Sequence, residues 1–590
     1  MHASQRRKWN VIVLLTLCGL SPCPASADWP TSPLVNLPVC TAPDQQNPSG
    51  LTTDGSGGAI IAWGDSRLGS SEIDIYAQHV LAGGTVDAAW PFNGQLICSA
   101  AGVQFNPRIL SDGAGGAVVA WQDLRGGTTS DLYAQHVLAT GAVDPAWPAN
   151  GRAICSVAGN QSGISLVSDN SGGAVLTWRD FRVDTTQAVY GQHLLANGQV
   201  DAAWPVNGRA LLTQPNNFNR PITIRTIPDG HGGAIFAWEN FNGGATADIY
   251  AQRVRANGTL DPAWPVAGRA VCAAANDQLN PNIISDGAGG AIVCWDDARG
   301  AAIDIYAQRV RADGSVDPAW PVDGRLVCAA AGNQQLPQAA ADGLGGALIA
   351  WVDFRGGVSS DVYAHHVFAN GTVDAAWPTD GRAVCTAIGN QNAIVAAPDG
   401  TGGVLLGWQD SRVVSSSPDI YAHHVLPSGA VDPAWPANGR AISTATGGQS
   451  GLLMLADGSG GAILTWGDQR SGAANADVYA QRVQANGTLG GTVVDVPRAA
   501  SRALALDAVN PNPWTGGTLT LSFSLSNDAG ATLDVIDIAG RCVASQLIVA
   551  RGPGRRSTTL ELGRRLAPGI YLVRLRQGGG VRSRRFAILD

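Results

Sequence analysis

Between residues 106 and 155 the chain alternates short apolar runs with glycine and aspartate clusters, in an order that predicts four strands. Asn106 to Ser111 (NPRILS) is the first. Asp112-Gly113-Ala114-Gly115-Gly116 follows as a turn, because Asp-Gly and paired glycines supply the positive φ of a tight hairpin. Ala117 to Trp121 (AVVAW) is almost unbroken in its apolar character, which suits a strand buried on both faces. Asp131 to Val137 (DLYAQHV) is the third strand. A turn at Thr140-Gly141 then leads through an AWP segment to a fourth strand at Arg152 to Cys155.

The unit recurs. The tryptophans ending the second strand are Trp63, Trp121, Trp178, Trp238, Trp295, Trp351, Trp408 and Trp466, spaced by 58, 57, 60, 57, 56, 57 and 58 residues. A fixed period near 57 means one supersecondary unit repeated eight times. The two ends of the array complement each other. Asp28-Trp29-Pro30 to Val39-Cys40 resembles the closing part of a repeat, and the eighth repeat stops at Gly487-Thr488-Leu489, before any AWP segment. The expectation is therefore an all-β, eight-bladed β-propeller over 28–489, closed by its N-terminal strand.

After a linker at 490–505 the strands lengthen, at Thr518–Phe523, Thr532–Ile536, Ser557–Glu561, Ile570–Leu575 and Arg584–Leu589, which predicts a small β-sandwich over 506–590. Asn510-Pro511-Asn512-Pro513, LDVIDIAGRCV (Leu533 to Val543), LAPGIYLVRL (Leu566 to Leu575) and the basic SRRFAIL end follow one another there. This order resembles the type A C-terminal sorting domain of the type IX secretion system, which is similar to the Ig-like module of the flagellar hook-cap protein. The resemblance implies a partner in the secretion machinery and a secreted or cell-surface location.

At the other end, Arg6-Arg7-Lys8, an apolar run from Val11 to Leu20 and Ala25-Ser26-Ala27 predict a signal peptide over 1–27. The apolar run is too short to span a bilayer, so no transmembrane segment is expected in the mature chain. Residues 28–497 carry 22 arginines against 40 acidic groups. That balance argues against nucleic acid as a partner, since phosphate binding needs clustered cations.

Candidate chemistry is sparse. The W-x-D-x-R element (Asp65 with Arg67, Asp123 with Arg125, Asp180 with Arg182, Asp297 with Arg299) occurs in seven of eight copies, so it reads as a repeated structural brace; the fourth copy has Asn240 and Asn242. The DGxGG aspartates 54, 112, 229, 286, 342, 399 and 457, with Asp169 in a variant, read as turn formers. They loosely resemble the Asp-box of sialidase-like propellers. Each loop offers one carboxylate, too few for calcium. His79, His136, His193, His366 and His424 alternate with Arg253, Arg309 and Arg482, which suits a hydrogen-bond donor and not a metal ligand.

Cys40, Cys98, Cys155, Cys272, Cys328 and Cys385 share one repeat position with Leu212 and Ser443. Sheets packed about 10 Å apart keep such cysteines from pairing, so they read as core thiols at a small apolar site. The array holds two glutamates, Glu72 and Glu239, in different repeats, and neither a Tyr-Glu pair with an arginine cluster nor any metal, cofactor or nucleophile signature can be assembled. The third and fourth repeats differ most, at Val183 to Val189, Gln214 to Arg220 and Asn240 to Asn242; drift is preferred to a ligand site there. These observations favour a non-enzymatic module that binds a glycan or protein, with no catalytic, cofactor or metal residue assigned. The rival is a glycan-active hydrolase with aspartates as acid and base in the central funnel.

Overall fold

The computed structural model describes residues 28–491, without 184–185, 213–221, 242–243, 245 and 415–416. Further on it describes 505–510, 518–525, 530–537, 541–548, 554–562, 566–577 and 580–588. The signal peptide and most of the linker lie outside the described residues, which contain strands and no α-helix.

Residues 28–491 form four-stranded antiparallel sheets, one per repeat, with the strands of each in sequence order. The second repeat shows the pattern: Gln104–Ser111, Ala117–Asp123, Asp131–Val137 and Arg152–Cys155. One sheet departs from it. Gln449–Ala456, Ala462–Asp468 and Asp477–Val483 are completed by Leu37–Cys40 from the other end of the array, with Leu37 opposite Ala480 and Cys40 opposite Val478. First strands of successive sheets touch one another, and Gln449–Ala456 in turn touches Gln46–Thr53.

Every second strand is apolar on both faces because each sheet is covered on both sides. Trp63 and its seven counterparts are wholly buried. An indole buries on the order of 200 Å², contributing up to about 5 kcal/mol relative to exposure. The cores lie between neighbouring sheets. One such core joins Trp29, Cys40, Val478 and Ile463 to Ala59, Ile61 and Trp63, so it spans the first and last repeats.

Two glycine positions make this packing possible. A Cβ at Gly94 would stand 2.6 Å from the Trp63 ring, and one at Gly141 would stand 2.8 Å from Trp90 of the preceding repeat. Both glycines have positive φ. The AWP tryptophan therefore latches each sheet onto the next, and Trp29 seats on Gly84 in the same way, its indole Nε1 donating to the Ala82 carbonyl at 2.9 Å.

The C-terminal residues form a three-stranded sheet (Ala505–Asn510, Thr518–Leu525, Gly554–Glu561) and a four-stranded sheet (Cys542–Ile548, Ala531–Asp537, Gly569–Gln577, Gly580–Ile588). They share one core, with Leu519, Leu521 and Phe523 meeting Leu533, Val535, Val573 and Phe586.

Candidate functional site

The repeated charges are committed to structure. Asp65 is fully buried; its Oδ2 accepts the Trp63 indole N–H at 2.7 Å, and both its oxygens take the Arg67 guanidinium, at 2.8 and 2.5 Å. Arg67 also donates to the Asn93 carbonyl at 2.8 Å and stacks 3.8 Å above Tyr76. Asp123, Asp180, Asp297, Asp353, Asp410 and Asp468 repeat the pairing.

The cysteine position corrects the expectation of a plain apolar site. The thiols stay free and buried, but each receives a guanidinium N–H, at 3.4 Å from Arg67 to Cys40 and 3.1 Å from Arg299 to Cys272. Leu212 occupies the position in the copy where Asn242 replaces the arginine. Ser443 occupies it where Arg470 donates to Asn36 Oδ1 instead, at 2.7 Å.

The DGxGG aspartates tie their own turns. Asp54 Oδ1 accepts the backbone N–H groups of Ser56 and Gly58, while Oδ2 meets His79 Nε2 at 3.1 Å, and His79 Nδ1 meets Asp87 at 2.8 Å. Burial alone would lower the pKa of His79 and His366, but their paired carboxylates outweigh it and raise both. Arg253 and Arg309 fill the same gap elsewhere, as expected of a donor position.

The first strands carry what the repeats do not share. All but that of the fourth sheet bend at a bulge among the described residues, as the register shift between Phe105 and Arg108 and that between Ser162 and Ser165 show. The residue after the bulge is Gly50, Arg108, Ser165, Asn282, Gln338, Val395 or Leu453, each opposite a second-strand residue such as Ala120 or Cys294. Arg225, opposite Ala237, holds the same register in the fourth sheet. In the second, fourth and fifth sheets the side chain following the tryptophan accepts a backbone N–H at the next sheet's bulge, as Gln122 does from Gly163. Glu239 accepts N–H groups from Thr223 (3.0 Å) and Asn280 (2.7 Å), and Asp296 accepts from Leu336 N (2.8 Å) and Asn280 Nδ2 (2.7 Å). Burial pushes Asp296 up to about 7; these bonds oppose the shift and the charge of Glu239 adds to it.

In the third sheet Arg179 holds that capping register, and its guanidinium lies against Gly163, where a Cβ would be 2.8 Å from Nε. Gly163 thus serves twice, with φ of +64° at the bulge and open space for the arginine. Arg108, Arg179 and Arg225 converge on a cavity of about 520 Å³ between the first strands of the second, third and fourth sheets. Arg108 donates to the Ser49 carbonyl at 2.8 Å. Among the described residues no carboxylate forms an ion pair with any of the three. Arg108 and Arg225 have substantial accessible surface although protein surrounds them, as residues lining a wet, walled space do. Burial lowers the pKa of all three; Arg225 adds to the effect at Arg108, and Glu239 opposes it at Arg179 and Arg225. The cavity falls in the repeats that diverge most, and it assembles the arginine cluster that the sequence did not reveal. Gln214 to Arg220, beside it in sequence, lie outside the described residues.

Residues 508–589 match the family described as the secretion system C-terminal sorting domain. The protein is accordingly secreted or held at the cell surface, and its C-terminal region addresses the secretion machinery. No helix among the described residues is long and apolar enough to cross a membrane. No curated protein sequence matches the chain. Three solved structures are similar in fold. A Hadza microbial sialidase is 14% identical, with 60% of this chain and 73% of that one covered and a TM-score of 0.32. An ulvan lyase from a new polysaccharide lyase family is 10% identical over 79% and 98%, with a TM-score of 0.39. The α-L-arabinofuranosidase of Fusarium graminearum is 10% identical over 55% and 93%, with a TM-score of 0.30.

Proposed function

We propose that residues 28–489 form a closed eight-bladed β-propeller joined by 490–505 to an Ig-like sorting module, and that the propeller binds an anionic glycan or protein group without converting it. The contact of Gln449–Ala456 with Gln46–Thr53 and the seat of Trp29 on Gly84 support closure. The binding site is the cavity of Arg108, Arg179 and Arg225. One observation carries this reading: three guanidinium groups share a cavity of ligand size with no ion-pair partner among the described residues, whereas the braces and clamps of the repeats are neutralised. Glu239, which bonds the lining residue Thr223, and Asp296 in the next sheet already accept backbone N–H groups, which supports binding over acid–base catalysis.

The test is retention of residues 28–590 on immobilised polygalacturonate against neutral dextran, with released reducing sugar scored in parallel. Retention on the acidic matrix, lost in Arg179→Gln and Arg225→Gln, is expected. Equal behaviour on both matrices overturns the anion site. Sugar release overturns the non-enzymatic reading and makes Asp296 the first residue to replace.

A further inference from the structure

Glu239 stands behind the cavity wall, its Oε2 accepting the N–H of the lining residue Thr223 at 3.0 Å, and its charge acts on two of the three cavity arginines, Arg179 and Arg225. It is buried, and its two oxygens are pinned by the Thr223 and Asn280 N–H groups of adjacent sheets, so it cannot swing away when a ligand arrives. The corresponding side chains are Gln122 in the second sheet, Arg179 in the third, Asp296 in the fifth, and Val352 and Gln409 in the sixth and seventh, with glycine in the first and last, so the position does not demand a carboxylate. A glutamine would supply the same acceptor to one N–H without a charge, so the carboxylate adds electrostatics beyond what the bulge requires. Over the array as a whole, residues 28–497 carry nearly twice as many acidic groups as arginines. A long polyanion laid on that surface is repelled; a compact group entering the cavity meets the guanidinium groups first.

We infer that Glu239 is a specificity-determining counter-charge, which weakens binding in proportion to the negative charge a ligand carries and so restricts the cavity to compact mono- or dianions, such as a uronate unit. This rests on reading the cavity as an anion site.

The experiment compares unaltered residues 28–590 with Glu239→Gln by calorimetric titration with galacturonate, digalacturonate and a heparin hexasaccharide, at low and moderate salt. The unaltered chain is expected to bind the two uronates and to bind heparin no more tightly. Glu239→Gln should tighten binding by roughly tenfold per ligand charge, with a steeper salt dependence. Glu239→Asp should keep the original selectivity. If the unaltered chain binds none of the three, the anion cavity falls and this inference with it. If it binds the uronates and Glu239→Gln leaves every ratio unchanged, the role of Glu239 alone is overturned. Tighter binding of heparin by the unaltered chain overturns the compact-ligand class. Should Glu239→Gln not fold, the unaltered chain decides: affinity is expected not to rise from galacturonate through digalacturonate to heparin, and affinity that climbs with ligand charge refutes the inference.

Discussion

The contact between each AWP tryptophan and a glycine in the next repeat makes a prediction that separates packing from backbone strain. Gly141 has φ of +81°, and Gly113, in the hairpin turn of the same repeat, has φ of +76°. An alanine at either position bears the left-handed cost of roughly 1–2 kcal/mol, offset by about 0.4–1 kcal/mol from the stiffer unfolded chain. At Gly113 nothing lies within 4 Å of the new Cβ, so that small balance is the whole effect. At Gly141 the Cβ falls 2.8 Å from Cγ and Cδ1 of Trp90, a clash with a rigid ring, which adds about 1–3 kcal/mol of overpacking. Gly141→Ala should therefore exceed Gly113→Ala by about 1–3 kcal/mol in urea unfolding followed by tryptophan fluorescence. Pairing Gly141→Ala with Trp90→Ala removes the ring, and the excess should vanish in the double variant. Equal costs at Gly141 and Gly113, or an excess that survives without Trp90, would refute the latch. The same comparison tests closure. A Cβ at Gly84 meets Trp29 at 2.5–2.7 Å, so Gly84→Ala should carry the full excess if the ring is shut, and behave as Gly113→Ala if it is open.

Two further outcomes follow from the repeated sites. Burial pushes the thiols of Cys40, Cys155 and Cys328 up to about 12, and Cys542 alone of the described cysteines is exposed, so a thiol reagent at pH 8 should titrate one group in the folded mature chain and eight after denaturation. His366 has a folded pKa raised above 6.5, so its contribution to stability is complete below that pH and is lost as pH rises through the folded value. Asp342 is lowered from 3.8, so its contribution is present above 3.8 and lost as pH falls through the folded value. His366→Arg, which copies the fourth and fifth repeats, should abolish the alkaline loss at this clamp and leave the acid limb in place. Melting temperatures from pH 5 to 9 that stay parallel for the two proteins would count against the paired-carboxylate account.

Strand order within each repeat was legible because the apolar run before every tryptophan has no reading other than burial on both faces. The Asp–Arg brace was legible because two residues, two apart on a strand, suffice to make it. The cysteine site was not. Its thiol and its arginine stand 27 residues apart, as Cys40 and Arg67 do, and meet only when the outer strand of one sheet packs beside the brace of the next. The substitution of leucine suggested an apolar hole, whereas Leu212 marks the one copy without the arginine.

The arginine cavity was hidden for a different reason. Arg108 and Arg225 share one register of the first strand, but Arg179 comes from the register after the tryptophan, so no linear spacing connects the three. What unites them is the side-by-side packing of the first strands, which brings one register of two sheets and the side chain after the tryptophan of the sheet between them into a common space. Positions alike in all or nearly all of the repeats are occupied by braces, latches and clamps, because each sheet must solve the same packing problem. A site for a particular ligand has to be written where the copies differ. The register after the bulge is such a place, running from Arg108 through Ser165, Arg225, Asn282 and Gln338 to Val395 and Leu453, and its charges all fall on one side of the series. An array that duplicated its structure faithfully and varied this register would gain a binding surface without touching its core, and under the proposed function the cationic cavity of the second to fourth sheets is where that freedom is used.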